Sequence, residues 1–396
     1  MPHHLAFAIM PAHGHVNPTL PLVAELTRRG HRVSYLTGDQ WRGPVEAAGA
    51  EFVHVPDGIP TGGPPPNMNG GVETARSMLE RFLSGARESV PETLRVLRED
   101  PPDAVFYDML TWSARAVAER IGVPAVQLCP SFASNEQFSL FSRFMPHVDL
   151  QDPALDGVRE EYAEFGRWLG VPLEATGFFH PAPQDLNLVF LPEQFQLHRE
   201  TFDDRFVFLG PSLGQRQEFE AWQPPASGDP VLFVSLGTGP LNDNPEFFRT
   251  AAEALGGSRW HVAMAVGDRV DPADLGEVPE NFEVRQYFPQ PTVLRHATAF
   301  LSHAGMNSTM ESLYHEVPMI TVPQMPEQEA NADRVEELGL GRRLRELTAE
   351  KLRALVDEVG ADQGIRANLA EVGPVVRGGR GAERGADAVE KYLAGL

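Results

Sequence analysis

In the stretch Ser302-His303-Ala304-Gly305-Met306-Asn307-Ser308-Thr309-Met310-Glu311, an imidazole, a glycine turn, two hydroxyls and a carboxylate follow one another closely. Such a set can hold a phosphorylated ligand. The apolar run Thr298 to Leu301 leads into it, and Met306, Met310 and Leu313 follow with helical spacing. The order is strand, glycine turn, helix N-terminus. Backbone N–H groups and the positive end of the helix dipole meet at such a turn and favour an anion, diphosphate being the usual one. Ser308 and Thr309 add hydroxyl donors, and His303 ends the strand at the edge where α/β sheets take ligands. Glu311 lies on the same helical face as Asn307 and can accept hydrogen bonds from ribose hydroxyls. The same residues also fit a capped helix behind a buried glycine turn with no ligand.

Two further groups lie at strand ends. Pro318 to Pro323 is a short apolar strand followed by Pro326-Glu327-Gln328-Glu329-Ala330-Asn331. Near the start, Leu5 to Met10 runs into Pro11-Ala12-His13-Gly14-His15-Val16-Asn17-Pro18. From that edge His15 can act as a general base, and Asp108, ending another strand of the same sheet, can accept its second N–H and stabilise imidazolium. A histidine that merely faces solvent is the plainer reading of His15, and His13 stands close enough to compete for the role.

The elements that would position these groups alternate along the chain. Asn17 as N-cap, Pro18 at the first helical position and Gly30 beyond Arg29 bound a helix. His31 to Thr37 and Glu51 to Val55 read as strands, Ser77 to Leu97 as mostly helix, Ala104 to Tyr107 as strand, Thr111 to Ile121 as helix and Ala125 to Leu128 as strand. Strand and helix in turn mean a parallel sheet. From Phe132 to Phe144 the chain carries Phe132, Phe138, Phe141 and Phe144, which fit either core packing or, with Met145, an apolar acceptor pocket. After the polar, proline-containing segment Gln215 to Asp229 the alternation restarts, with strands at Val231 to Leu236, Trp260 to Val266 and Phe282 to Tyr287, a helix at Pro245 to Leu255 and a terminal helix at Arg380 to Leu396.

Composition sets outer limits. The 396 residues suffice for two domains, and 42% hydrophobic content supports their cores. A net charge of −22 disfavours binding nucleic acid through its phosphates. No apolar run is long enough to span a bilayer and Met1-Pro2-His3-His4 has no leader pattern, so the reading is cytoplasmic. The single cysteine, Cys129, rules out a disulfide within the chain and cysteine-rich zinc sites.

The pattern His303-x-Gly305-x-Asn307-Ser308-Thr309-x-Glu311, then Pro323-Gln324, then Glu327-Gln328, resembles the nucleotide-sugar glycosyltransferases of GT-B fold family 1. That family includes plant UDP-glucosyltransferases and bacterial macrolide glycosyltransferases. The resemblance covers nearly the whole chain. It implies an α/β GT-B fold of two facing Rossmann-like domains with a cleft between them and a C-terminal helix crossing back. The implied layout is an acceptor-binding domain at 1–214, a linker at 215–229, a nucleotide-sugar-binding domain at 230–379, and a helix at 380–396 packing back on the first domain.

For the site, the resemblance aligns the catalytic dyad with His15 as base and Asp108 as its partner. It assigns Thr238, His303, Gly305, Asn307 and Ser308 to the donor diphosphate, and Glu327 and Gln328 to the sugar. Tyr287-Phe288-Pro289-Gln290 matches the base-binding Trp-x-Pro-Gln, so Tyr287, Gln290 and Glu311 take the base and ribose. Tyr stacks on a pyrimidine with less area than Trp, which leaves uridine against thymidine open. The implied reaction is inverting transfer from UDP-glucose, an α-linked co-substrate, to a hydroxyl of a macrolide, flavonoid or other polyphenol, by a monomer or homodimer. No cofactor is implied, and the absence of Asp-x-Asp from the sequence disfavours a metal-bridged diphosphate. A TDP-deoxysugar donor in antibiotic biosynthesis is the other reading of the same site.

Readings of other kinds compete. Gly210-Pro211-Ser212-Leu213-Gly214 fits the nucleophile elbow of α/β-hydrolases, with Phe206 to Leu209 as its strand. The polar run Gln215 to Gln223 then meets Pro224-Pro225 where an elbow needs a buried helix. A sugar-nucleotide epimerase would share the scaffold but not the dyad, and a non-catalytic sugar-nucleotide binder would have His15 facing away.

Overall fold

The computed structural model describes residues 1–56, 71–179, 181–211, 222–237 and 244–396. The chain divides into two compact units, Met1–Gly214 with Arg380–Leu396, and Gln215–Gly379. Each is built on one parallel sheet. In the first unit β1 (His4–Ala8), β2 (Arg32–Thr37), β3 (Glu51–His54), β4 (Ala104–Asp108), β5 (Ala125–Cys129), β6 (Asn187–Val189) and β7 (Phe206–Phe208) lie in the order β3-β2-β1-β4-β5-β6-β7. In the second, β8 (Val231–Ser235), β9 (His261–Ala265), β10 (Phe282–Arg285), β11 (Ala297–Ser302), β12 (Met319–Thr321) and β13 (Gly341–Arg343) lie in the order β10-β9-β8-β11-β12-β13. Both orders double back beside the first strand, between β1 and β4 and between β8 and β11. At such switch points open α/β sheets take ligands, beyond the carboxyl ends of the strands.

Side chains of β1 alternate between two cores. Leu5 and Phe7 bury with Phe106 on one face, and Ala6 and Ala8 with Val105 and Tyr107 on the other. A parallel strand covered on both faces reads as a continuous apolar run. The terminal helix Gly381–Ala394 belongs to the first unit, with Ala386, Val389 and Leu393 buried beside Leu22, Val23 and Leu26 of the helix His13–Arg28. At Gly385 a Cβ would stand 2.9 Å from Leu22 Cδ1, so the missing side chain lets the two helices approach. Arg29 adds ion pairs to Asp387 at 2.6 Å and Glu390 at 2.8 Å.

Several elements differ from those read in the sequence. The first helix begins at His13 behind an extended Ala12, and Pro18 and Pro21 lie inside it. Each proline forgoes one N–H, and the helix continues because Val16, Thr19, Leu22 and Val23 bury one side of it. The helix Val72–Glu99 extends beyond 77–97 and contains Pro91. Between Phe132 and Phe144 only Leu140–Phe144 is helical. The Gly/Pro-rich stretch Asp57 to Gly71, which reads as a loop, lies outside the described residues but for Gly71, as do Thr238, Ser212 and part of the 215–229 segment. Among the described residues no helix is long and apolar enough to cross a membrane.

Candidate active site

The switch point of the first sheet brings His15 and Asp108 together. His15 lies in the opening turn of the 13–28 helix, directly after β1, and Asp108 is the last residue of β4. His15 Nδ1 stands 3.3 Å from Asp108 Oδ2, with the imidazole 18% exposed and the carboxylate fully buried. Backbone N–H groups fix that carboxylate: Met10 donates to Oδ2 at 2.8 Å, and Leu110 and Thr111 donate to Oδ1 at 2.6 and 3.2 Å. Burial raises the carboxyl, but the charge and hydrogen bond of His15 and the N–H groups of Met10 and Leu110 outweigh it and hold Asp108 below the usual carboxylate range. An anionic Asp108 facing Nδ1 favours the proton on that nitrogen, leaving the lone pair on Nε2. His13 is exposed and sits edge-on to Trp41 with ring centroids 4.8 Å apart.

The switch point of the second sheet carries the glycine turn. Ser235, Ser302 and Thr321 stand in register as the last residues of β8, β11 and β12. Ser235 Oγ accepts the Gly237 N–H and Ser302 Oγ accepts the Ala304 N–H, each at 3.2 Å. The His303 ring packs between Gly237 and Gly305, where added Cβ atoms would lie 2.5 Å from Cε1 and 2.4 Å from Nε2. Desolvation there pushes the imidazole down to about 4, against a hydrogen bond to the Ser235 backbone, so His303 is neutral near pH 7. The helix Met306–His315 starts behind Gly305, which has no side chain to cap it, and its first turn includes Asn307 and Ser308. An α-helix presents the N–H groups of that turn outward along its axis.

Three other groups stand at this edge. Gln290 Nε2 donates to Glu311 Oε2 at 2.7 Å and to Ser308 Oγ at 3.2 Å, tying three of the expected site residues into one network. Tyr287 follows β10 and is 53% exposed, a ring open to stacking. Glu327 and Gln328 open the helix Pro326–Glu337, and Gln328 Oε1 accepts the Gln324 N–H at 2.9 Å. The aromatic stretch is divided. Phe132 is fully buried and stacks on Phe195, and Phe138 packs against His198 and Phe202. Phe141 is half-buried and Met145 is buried, on the side of the sheet that also holds Tyr162 and Phe179.

A fold alone does not fix an activity. The family model for UDP-glucoronosyl and UDP-glucosyl transferase matches residues 211–375. The chain is 39% identical to NDP-glycosyltransferase YjiC of Bacillus subtilis (strain 168), over 99% of this chain and 97% of that protein. It is 34% identical to oleandomycin glycosyltransferase of Streptomyces antibioticus, over 99% of this chain and 91% of that one. Among solved structures, CalG4, the calicheamicin glycosyltransferase, matches with a TM-score of 0.85 at 35% identity, covering 99% of this chain and 98% of that one. The chain therefore belongs to the UDP-glucuronosyl and UDP-glucosyl transferase family and is a glycosyltransferase of the GT-B fold.

Proposed function

We propose that this glycosyltransferase works by inversion, moving a sugar from a nucleoside diphosphate donor, UDP-glucose before others, to a hydroxyl of a hydrophobic natural product such as a macrolide or flavonoid. His15 Nε2 takes the acceptor proton, and Asp108 orients the ring and stabilises the imidazolium. The observation that carries this reading is the 3.3 Å approach of His15 to a buried Asp108 whose own oxygens are held by three backbone N–H groups. Moving a proton from a phenol near ~10 to an imidazole near ~6.5 is uphill by roughly 5 kcal/mol, and an aliphatic alcohol is worse. Proton transfer therefore accompanies formation of the C1–O bond, in a direct displacement that turns an α-linked donor into a β-glycoside.

On the donor side, the 306–308 amides with Gly305, Asn307 and Ser308 take the diphosphate, together with Thr238. His303 meets the diphosphate there as a neutral ring rather than a cation. Tyr287 stacks on the base, the Gln290–Glu311 pair meets the ribose, and Glu327 with Gln328 holds sugar hydroxyls. With Gln328 Oε1 already accepting a backbone N–H, its amide nitrogen is the group offered to the sugar. Phe141 and Met145 border the acceptor, while Phe132 and Phe138 pack against Phe195 and Phe202.

A second donor reading has its own support. Tyr287 replaces the broader Trp at the base, and the chain is 34% identical, over 99% of its length and 87% of that protein's, to demethyllactenocin mycarosyltransferase of Streptomyces fradiae, whose name specifies a mycarosyl group. A TDP-deoxysugar donor suits the same cradle. Incubation with UDP-glucose or a TDP-sugar and a panel of macrolides and flavonoids separates these readings by mass. A glycoside whose formation matches nucleoside diphosphate release is expected. Nucleotide release that needs no acceptor, or no glycoside with any pair, contradicts transferase action on this acceptor class.

A further inference from the structure

Ala304, between His303 and Gly305, is fully buried at φ +61, in the left-handed region that favours glycine. Two bonds hold it there. Its N–H goes to Ser302 Oγ, and its carbonyl accepts from Asn331 Nδ2 at 2.8 Å. Asn331 sits in the middle of the 326–337 helix, fully buried, and its Oδ1 has no hydrogen-bond partner among the described residues. By local rules this is a poor choice. Asparagine weakens a helix interior, and an unpaired buried amide oxygen is costly. A residue that breaks local rules and makes one bond to a strained turn marks a functional constraint.

Resting on the donor reading above, we propose that Asn331 is a positioning residue for nucleotide-sugar binding. By holding the Ala304 carbonyl it keeps Ala304 left-handed, so that His303 and the first amides of the 306–315 helix converge on the diphosphate. Glu327 and Gln328 stand on the first turn of the same helix as Asn331, so one rigid element sets the sugar contacts and the diphosphate turn together.

The test uses the full chain with UDP and TDP as calorimetric probes, followed by donor kinetics. Asn331→Leu keeps the branching and the number of heavy atoms and removes the donated N–H. It is expected to raise the nucleotide Kd about tenfold, as loss of one well-placed hydrogen bond would, and to raise donor KM more than it lowers kcat. Adding Ala304→Gly is expected to recover part of that affinity, because glycine takes positive φ without strain. Asn331→Ala also lacks the N–H, and gives the same reading where the leucine variant does not fold. A Kd within about twofold of wild type in the variant that folds overturns the inference and leaves the donor reading standing. A wild-type chain that binds neither nucleotide overturns both.

Discussion

A methyl group at Gly305 would stand 2.4 Å from His303 Nε2, and one at Gly237 would stand 2.5 Å from Cε1. The imidazole has nowhere to go between them, so Gly305→Ala is expected to displace it, raise the UDP Kd at least about tenfold and cost about 1–3 kcal/mol of stability by overpacking. Calorimetry and denaturant melts check both parts; unchanged affinity would remove His303 from the diphosphate. The sequence showed the type and order of these residues, because strand, glycine and helix signals are local. It did not separate His13 from His15. Both precede Asn17 and Pro18, and only the helix start at His13, which puts His15 beside Asp108 and His13 against Trp41, tells them apart. Nor did it show that Phe132 is core, since a buried aromatic and a pocket aromatic have the same letter, and the partner Phe195 is distant in sequence.

Among the elements, strands buried on both faces were the plainest in the sequence, and β1, β4, β8 and β9 lie mostly within apolar runs. β6 and β13 are three residues each, too short for a run or an alternation to register. The first helix was read as starting late because Pro18 is so strong an N1 signal; burial of the helix face overrode it. The terminal helix was legible as a helix, while its docking depends on Gly385, which sequence pattern treats as a helix weakness. Gly385→Val should therefore press on Leu22 and Leu209 and lower stability by about 1–3 kcal/mol. A melting temperature unchanged from wild type would contradict the close approach of the 13–28 and 381–394 helices.

For the whole molecule, the shifts at His303 and Asp108 act on stability in the same direction. His303 titrates near 6.5 unfolded and near about 4 folded, so below pH 6.5 the unfolded chain takes up a proton that the folded chain refuses. Stability is complete above that range and falls as pH drops toward 4, by about 3 kcal/mol at most. Asp108, depressed below its usual value, contributes stability above the unfolded carboxyl range that is lost at lower pH. Denaturant titrations at pH 7 and pH 5 should show wild type losing more stability than His303→Gln; equal losses would mean that the folded imidazole is not held neutral. The two-unit plan was legible because strand and helix alternate, pause in the polar 215–229 segment and resume, whereas acceptor identity was not, because the loops proposed to contact it carry no local code.

His15 carries the proposed chemistry, and one comparison tests it: turnover and UDP affinity of wild type and His15→Ala with the best donor and acceptor from the panel. Loss of turnover by about 100-fold or more with UDP affinity unchanged is predicted for a general base that does not touch the nucleotide. Turnover within about tenfold of wild type would contradict it.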